Sequence, residues 1–285
     1  VDVVAEMIRD LQRAPAGAGY LGIPADVLGQ PFTGTRPTLQ LGQEVMPVDT
    51  AAVTAALDGA ERIMIWAGGG AVDSSDAVAE LAAHWNAPIH TSFAGRGIAA
   101  DSPFTLTAPV HEPEVEALMA QADALVVLGS QLDGMNTKNW NLPWPSTVVL
   151  VDVDPTFAMR NIDPTAVMVT NDISSAARAL VADTKPRDEW CDVPATNAGV
   201  RARLLADTKG HDGISLVEAI ENAWPDEGVI VCDMAVAGYW TGVYGRQPRP
   251  RRLAYPVGWG TLGFGLPAAL GPAAAGVPTL SVCGD

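Results

Sequence analysis

Apolar residues fall along this chain in short unbroken runs, separated by stretches where they recur every three or four positions. Arg62-Ile63-Met64-Ile65-Trp66, Ala124-Leu125-Val126-Val127-Leu128, Thr147-Val148-Val149-Leu150-Val151 and Ala166-Val167-Met168-Val169 read as strands, as does the shorter Pro88-Ile89-His90. Residues 51–57, 74–85 and 115–121 carry the helical period between them. Strands that are apolar at nearly every position and alternate with helices predict a parallel sheet covered on both faces. The expectation is α/β, a doubly wound parallel-sheet central domain over residues 48–184.

On the N-terminal side, Val4, Ile8 and Leu11 stand at helical spacing, and Gly19-Tyr20-Leu21-Gly22-Ile23-Pro24 reads as a short strand ended by Pro. One helix and one strand cannot close a core, so residues 1–34 are expected to end a preceding domain, joined by a linker over 35–47. Residues 185–211 are polar, contain Pro186 and Pro194, and read as a second linker crossed by a helix over 200–207. A third, truncated α/β unit is expected over 212–285. It has helix 214–224 introduced by Asp212-Gly213, strand 228–231, helix 236–244, strand 253–255, a Gly- and Ala-rich helix 261–275 and strand 279–282. The chain opens without Met and stops where an apolar run has just delivered Gly284-Asp285, so it is expected to be a fragment.

Composition narrows the function. Seventeen Lys and Arg against 33 Asp and Glu give a net charge of -16, a field that repels nucleic-acid backbones and anionic lipid. An anionic small substrate stays open, because backbone N–H groups, one Arg or a metal can reverse the potential inside a cleft. No run approaches a membrane span, and the opening residues form no signal peptide, so neither nucleic acid nor membrane is an expected partner. The three cysteines lack any C-x-x-C or zinc spacing, which fits a cytoplasmic location. Cys232 and Cys283, each ending an apolar run, are expected to be small buried residues without a catalytic role.

Several local patterns invite a chemical reading. Gly68-Gly69-Gly70 follows a strand and precedes a helix, which suits either a tight turn or a nucleotide seat. Asp152 and Asp154 close another strand, where they can cap the next helix or hold ribose hydroxyls. Asp133-Gly134 lacks the G-x-S-x-G spacing of an esterase. The four histidines share no metal-ligand spacing, and His111 beside Glu112 need not face it. Trp140 and Trp144 read as anchors of a loop. On these features alone, a non-catalytic adenine-nucleotide-binding module is one reading of the chain.

The richest stretch is Gly258-Trp259-Gly260-Thr261-Leu262-Gly263-Phe264-Gly265-Leu266-Pro267-Ala268-Ala269, followed after a strand by Gly284-Asp285. It resembles the entry to the diphosphate-binding domain of thiamine diphosphate enzymes of the acetolactate synthase and 2-oxo acid decarboxylase group. Their pattern runs Gly-x-hydrophobic-Gly-Phe-Gly-x-Pro-Ala-Ala, then a strand, then Gly-Asp-Gly and a later Asn. Residues 20–27 are similar to the end of that family's pyrimidine-binding domain, and Val151-Asp152-Val153-Asp154-Pro155 to a strand end of its central domain.

The resemblance implies a thiamine diphosphate- and Mg2+-dependent enzyme acting on a small 2-oxo acid, with acetolactate synthase-like carboligation ahead of simple decarboxylation. Leu262 takes the place of the apolar wedge beneath the bent cofactor, and the Gly260 carbonyl that of the acceptor for its 4'-amino group, with Thr261 between them. Ala235-Val236-Ala237 stands where the synthases carry a Gly-Gln-His run at the diphosphate. Asp285, after Gly284, matches the first protein ligand of Mg2+. The second ligand and the activating Glu lie outside this chain. The Glu comes from a partner subunit, which implies a homo-oligomer, at least a homodimer, and an inactive isolated fragment. The segment associated with FAD in the synthases appears as Gly129-Ser130-Gln131-Leu132-Asp133 without its Arg, so the resemblance leaves flavin open.

Overall fold

A computed structural model describes residues 2–13, 15–31, 34 and 45–284. Helix α1 (Asp2–Gln12) and the single turn α2 (Ala25–Leu28) come first. The expected strand over 19–24 is absent. Tyr20 is 93% exposed and Ile23 is exposed, and among the described residues no neighbouring strand supplies the hydrogen bonds a strand needs.

The central sheet has five parallel strands: β1 (Ile63–Ala67), β2 (Ile89–Thr91), β3 (Ala124–Leu128), β4 (Thr147–Asp152) and β5 (Ala166–Val169). Their order is β2-β1-β3-β4-β5. Side chains alternate across the sheet, and both sides are dry. Ile63, Ile65, Val126 and Leu128 pack with Leu81 and Trp85 of α4 (Ser75–Trp85), Leu180 of α6 (Ile173–Asp183) and Val53 of α3 (Ala51–Ala56). Met64, Trp66, Leu125 and Val127 pack with Leu118 and Met119 of α5 (Pro113–Gln121) and Val200 of α7 (Val193–Ala206). Two covered faces are why every position of β1 and β3 is apolar and buried.

The second part is built from α8 (Thr208–Ala223), β6 (Val229–Cys232), α9 (Val236–Tyr244), β7 (Leu253–Ala254), α10 (Gly265–Ala274) and β8 (Thr279–Val282). Its sheet is parallel, in the order β7-β6-β8. The polar stretch before it is mostly helical. Asp192 caps α7 by accepting from Ala195 N–H at 2.8 Å, and Val193, Val200 and Leu204 join the core. Helix α8 starts at Thr208, six residues before the expected 214, because Asp207 accepts from Gly210 N–H at 2.9 Å. Gly213 serves packing: a Cβ there would lie 2.0 Å from the Trp240 ring. Ile214 of α8 belongs to the same buried cluster as β1 and β3, so the two parts share a core.

Among the described residues no helix is long and apolar enough to cross a membrane. Cys232 is fully buried and burial pushes its thiol up to about 12, whereas Cys283 is exposed, contrary to expectation, with Sγ 3.0 Å from Ser281 Oγ. It lies just past the end of β8, beside Gly265 at the start of α10, where a Cβ on Gly265 would come 3.0 Å from its sulfur.

Candidate functional site

Because β6 and β8 are parallel neighbours with Cys232 opposite Val282, both strands end at the same edge. That edge receives Asp233-Met234-Ala235 from one strand and Cys283-Gly284 from the other. A Cβ on Gly284 would lie 3.2 Å from the Ala235 methyl, so two segments singled out in the sequence meet here. Helix α9 begins directly after Ala235 and has no side-chain cap, which leaves the N–H groups of Val236 and Ala237 facing outward at the positive end of the helix.

The loop before α10 completes the edge. The glycine-rich helix expected from 261 starts only at Gly265, since Gly260 (φ 60°) and Gly263 (φ 72°) are left-handed and residues 261–264 form a turn. Between the two glycines the chain displays Thr261 and Leu262, the latter 77% exposed, and Trp259 beside them is 95% exposed.

Asp233 holds this loop, and the sequence reading missed it. Its Oδ1 accepts from Met234 N–H at 2.8 Å and Gly263 N–H at 3.1 Å, while Oδ2 accepts from Gly265 N–H at 3.3 Å. Burial pushes this carboxyl up, but the N–H groups of Met234, Gly265, Phe264 and Gly263 outweigh it and hold the acid below its ordinary range. The signal was a carboxylate directly after an apolar strand, on the doorstep of Ala235. Gly238 packs against the same residue, where a Cβ would come 2.2 Å from the Asp233 carbonyl oxygen.

Asp285, the expected metal ligand, lies outside the described residues. Among the described residues no group of three or more His, Cys, Asp or Glu could hold a metal ion.

At the central sheet the glycine run has a packing explanation. Gly68 N–H donates to the Leu128 carbonyl at 2.8 Å and Gly70 N–H to that of Gly129 at 2.9 Å, and a Cβ on Gly68 would sit 2.2 Å from the Gly129 oxygen. Gly69 and Gly70 still line a cavity of about 370 Å³, together with Ser130, Gln131, Asp152 and Asp154. It opens at the carboxyl ends of β1 and β3, where the strand order reverses. Asp152 accepts from Asp154 N–H at 2.9 Å and Asp154 from Thr156 N–H at 3.1 Å, so both carboxylates order their own turn. Burial holds the Asp152 carboxyl above its ordinary range. Asp133 is likewise spent on its own loop, accepting from Met135 N–H, Asn136 N–H and Asn136 Nδ2. Trp140 Nε1 donates to the Leu132 carbonyl at 2.8 Å, anchoring that loop. A larger crevice, about 690 Å³, separates this region from Tyr255, Gly258 and Phe264 of the second part.

Residues 50–180 match the family described as thiamine pyrophosphate enzyme, central domain. Over 265 residues, 88% of this chain and 46% of the relative, the chain is 31% identical to the probable 2-ketoarginine decarboxylase AruI of Pseudomonas aeruginosa. It is 25% identical over 306 residues to the acetolactate synthase isozyme 1 large subunit of Escherichia coli, with 99% of this chain and 52% of the relative covered. The chain therefore spans about half the length of these relatives. Its fold matches the X-ray structure of a Mycobacterium smegmatis protein described as a thiamin diphosphate-dependent enzyme. That match has a TM-score of 0.72 at 18% identity and covers 98% of this chain and 55% of the other. On these matches residues 50–180 belong to the thiamine pyrophosphate enzyme central-domain family, and the chain as a whole is similar to members of the acetolactate synthase and 2-oxo acid decarboxylase group.

Proposed function

We propose that this chain carries the central domain (48–184) and the leading part of the diphosphate-binding domain (212–285) of an enzyme that uses thiamine diphosphate and Mg2+ to decarboxylate a small 2-oxo acid. Residues 1–34 are proposed as the end of its pyrimidine-binding domain. Acetolactate synthase-like carboligation is the first reading and simple decarboxylation the second.

The observation that carries this is the Asp233-pinned loop, with Gly260 and Gly263 left-handed and Leu262 held out into solvent between them. An exposed Leu is a poor choice for a surface turn and a good one for a wedge under an apolar ring system. The residues present fit the cofactor. Val236 and Ala237 N–H groups would face the diphosphate, the Gly260 carbonyl would accept from the 4'-amino group, and Leu262 would lie beneath the two rings. Asp285 would be the first protein ligand of Mg2+. Bound thiamine diphosphate supplies an electron sink for loss of CO2. This chain's own part would be to orient and to exclude water: Asp233, through Gly263 and Gly265 N–H, would hold the loop that follows the Gly260 carbonyl, and the apolar Trp259 and Leu262 would keep that carbonyl's surroundings dry once covered.

A homo-oligomer with the site at a subunit interface goes with this reading, since Trp259, Leu262 and Leu266 have no cover among the described residues. A non-catalytic nucleotide module is not favoured, because it leaves the loop and its acid without a purpose.

The test is CO2 release by the full-length protein from pyruvate and from 2-ketoarginine, with and without thiamine diphosphate and Mg2+. Release that needs both additions is the expected result, and product analysis then separates carboligation from decarboxylation. No release, together with no thermal shift on adding cofactor and Mg2+, would overturn the proposal.

A further inference from the structure

Away from that edge, the chain buries a group of polar atoms that the proposed reaction does not use. Trp66 of β1 and His90 of β2 are paired in register, and their rings lie edge to face with centroids 4.3 Å apart. Trp66 is fully buried and His90 is 3% exposed. Among the described residues, neither Trp66 Nε1 nor either ring nitrogen of His90 has a hydrogen-bond partner. Orphaned atoms of this kind are rare because each forfeits its hydration, so those of His90, beside the unpaired Arg96 Nε–H, point to an occupant. His90 lines a cavity of about 10 Å³ with Arg96, His111, Asn136 and Val243, room for a single water-sized or monatomic particle.

The electrostatics around the cavity are one-sided. Arg96 donates from Nη1 to the Thr107 carbonyl at 3.3 Å and from Nη2 to the Gly245 carbonyl, while its buried Nε–H is unpaired among the described residues. The carboxylates nearby are committed elsewhere. Glu221, whose field reaches Arg96, accepts from Arg246 N–H at 2.7 Å and lies 3.7 Å from Arg201. Glu112, next to His111, is held by Tyr244 Oη–H and Arg203. Asn136 Oδ1 already accepts from Phe93 N–H at 3.0 Å, and its Nδ2 donates to Asp133. Burial, Arg96 and His111 together push His90 down to about 3, so at neutral pH it is an uncharged ring with one N–H to give. What remains at the cavity is the positive charge of Arg96 with its Nε–H, one His90 N–H, and the second His90 ring nitrogen as an acceptor.

We infer that this cavity is a binding site for a monatomic anion of the halide class, held by Arg96 Nε–H and a His90 ring N–H. The size rules out a polyatomic oxyanion, and the donor set disfavours a cation. Val243 and Gly245 belong to the second part and His90 to the central sheet, so the ion ties the two parts together.

Crystals of the full-length protein soaked in sodium bromide are the direct test. An anomalous peak within about 3.5 Å of Arg96 Nε and a His90 ring nitrogen is expected. In solution, millimolar chloride and bromide should raise the melting temperature saturably, by roughly 3 °C, whereas sodium sulfate, which is excluded from the protein surface, should give only a gradual rise without saturation. Arg96→Met should abolish that difference, and Arg160→Met, an exposed cation remote from the cavity, should keep it. Should Arg96→Met fail to fold, the bromide peak decides alone. No peak, with a melting temperature that follows ionic strength whatever the anion, would overturn the inference and leave a neutral water as the occupant.

Discussion

The two sheets of this chain are built from the same kind of unit and finished to different degrees. Every residue of β1, β2 and β3 is buried between two helical layers. In the second sheet β7 and β8 are half-exposed throughout, and Val236, Leu262, Leu266 and Leu270 stand 63–77% exposed. The difference separates two uses of apolar residues. In the central sheet they close a core. In the second they line an edge where the proposed cofactor and a partner surface would supply the missing contacts.

The largest test of that contrast is stability. Leu125→Ala, in the fully covered sheet, should cost about 2–5 kcal/mol in denaturant unfolding, whereas Leu270→Ala, 63% exposed, should change it by less than about 0.5 kcal/mol. Equal costs would show that the second sheet is as closed as the first. Next comes Asp233→Ala, which releases the N–H groups of Gly263 and Gly265. Thiamine diphosphate affinity, read by calorimetry on the full-length protein, should fall about 10- to 100-fold. Unchanged affinity would remove Asp233 from the site.

Leu262→Ala should lower the turnover rate about 10-fold with cofactor affinity nearly kept, because an exposed wedge contributes orientation more than attachment. A variant as fast as the wild type would mean the wedge is elsewhere. A separate effect is on pH dependence. His90 binds a proton near pH 3 when folded and near 6.5 when unfolded, so between those values the unfolded chain holds more protons and stability falls as pH falls. His90→Gln should flatten the wild-type slope between pH 6 and 4 by up to about 1.4 kcal/mol per pH unit. Parallel slopes would mean that burial, Arg96 and His111 do not lower the His90 pKa.

The central strands were legible because a sheet covered on both faces admits nothing polar, and that requirement is written residue by residue in runs such as Ala124–Leu128. The 258–265 stretch was legible for a related reason: only glycine tolerates the left-handed turns at 260 and 263, so backbone shape leaves a mark on the sequence. Gly68-Gly69-Gly70 looked equally like a nucleotide seat, and only the approach of Gly129 from the neighbouring strand end gives it another purpose.

Most of what else the tertiary structure decided concerns partners far away in sequence. Tyr20 to Ile23 has strand-like residues and, among the described residues, no strand beside it. Gly213 resembles a helix start and is instead the floor beneath Trp240, while Asp207 supplies the cap. Asp233 is one acid among 33 until the fold brings Gly263 and Gly265 to it, and His90 and Arg96 share a cavity only once α9 is packed against the sheet edge. Local pattern fixes which elements form, since propensity and burial act within a few residues; which side chains meet is set by packing between elements, which no short window of sequence contains.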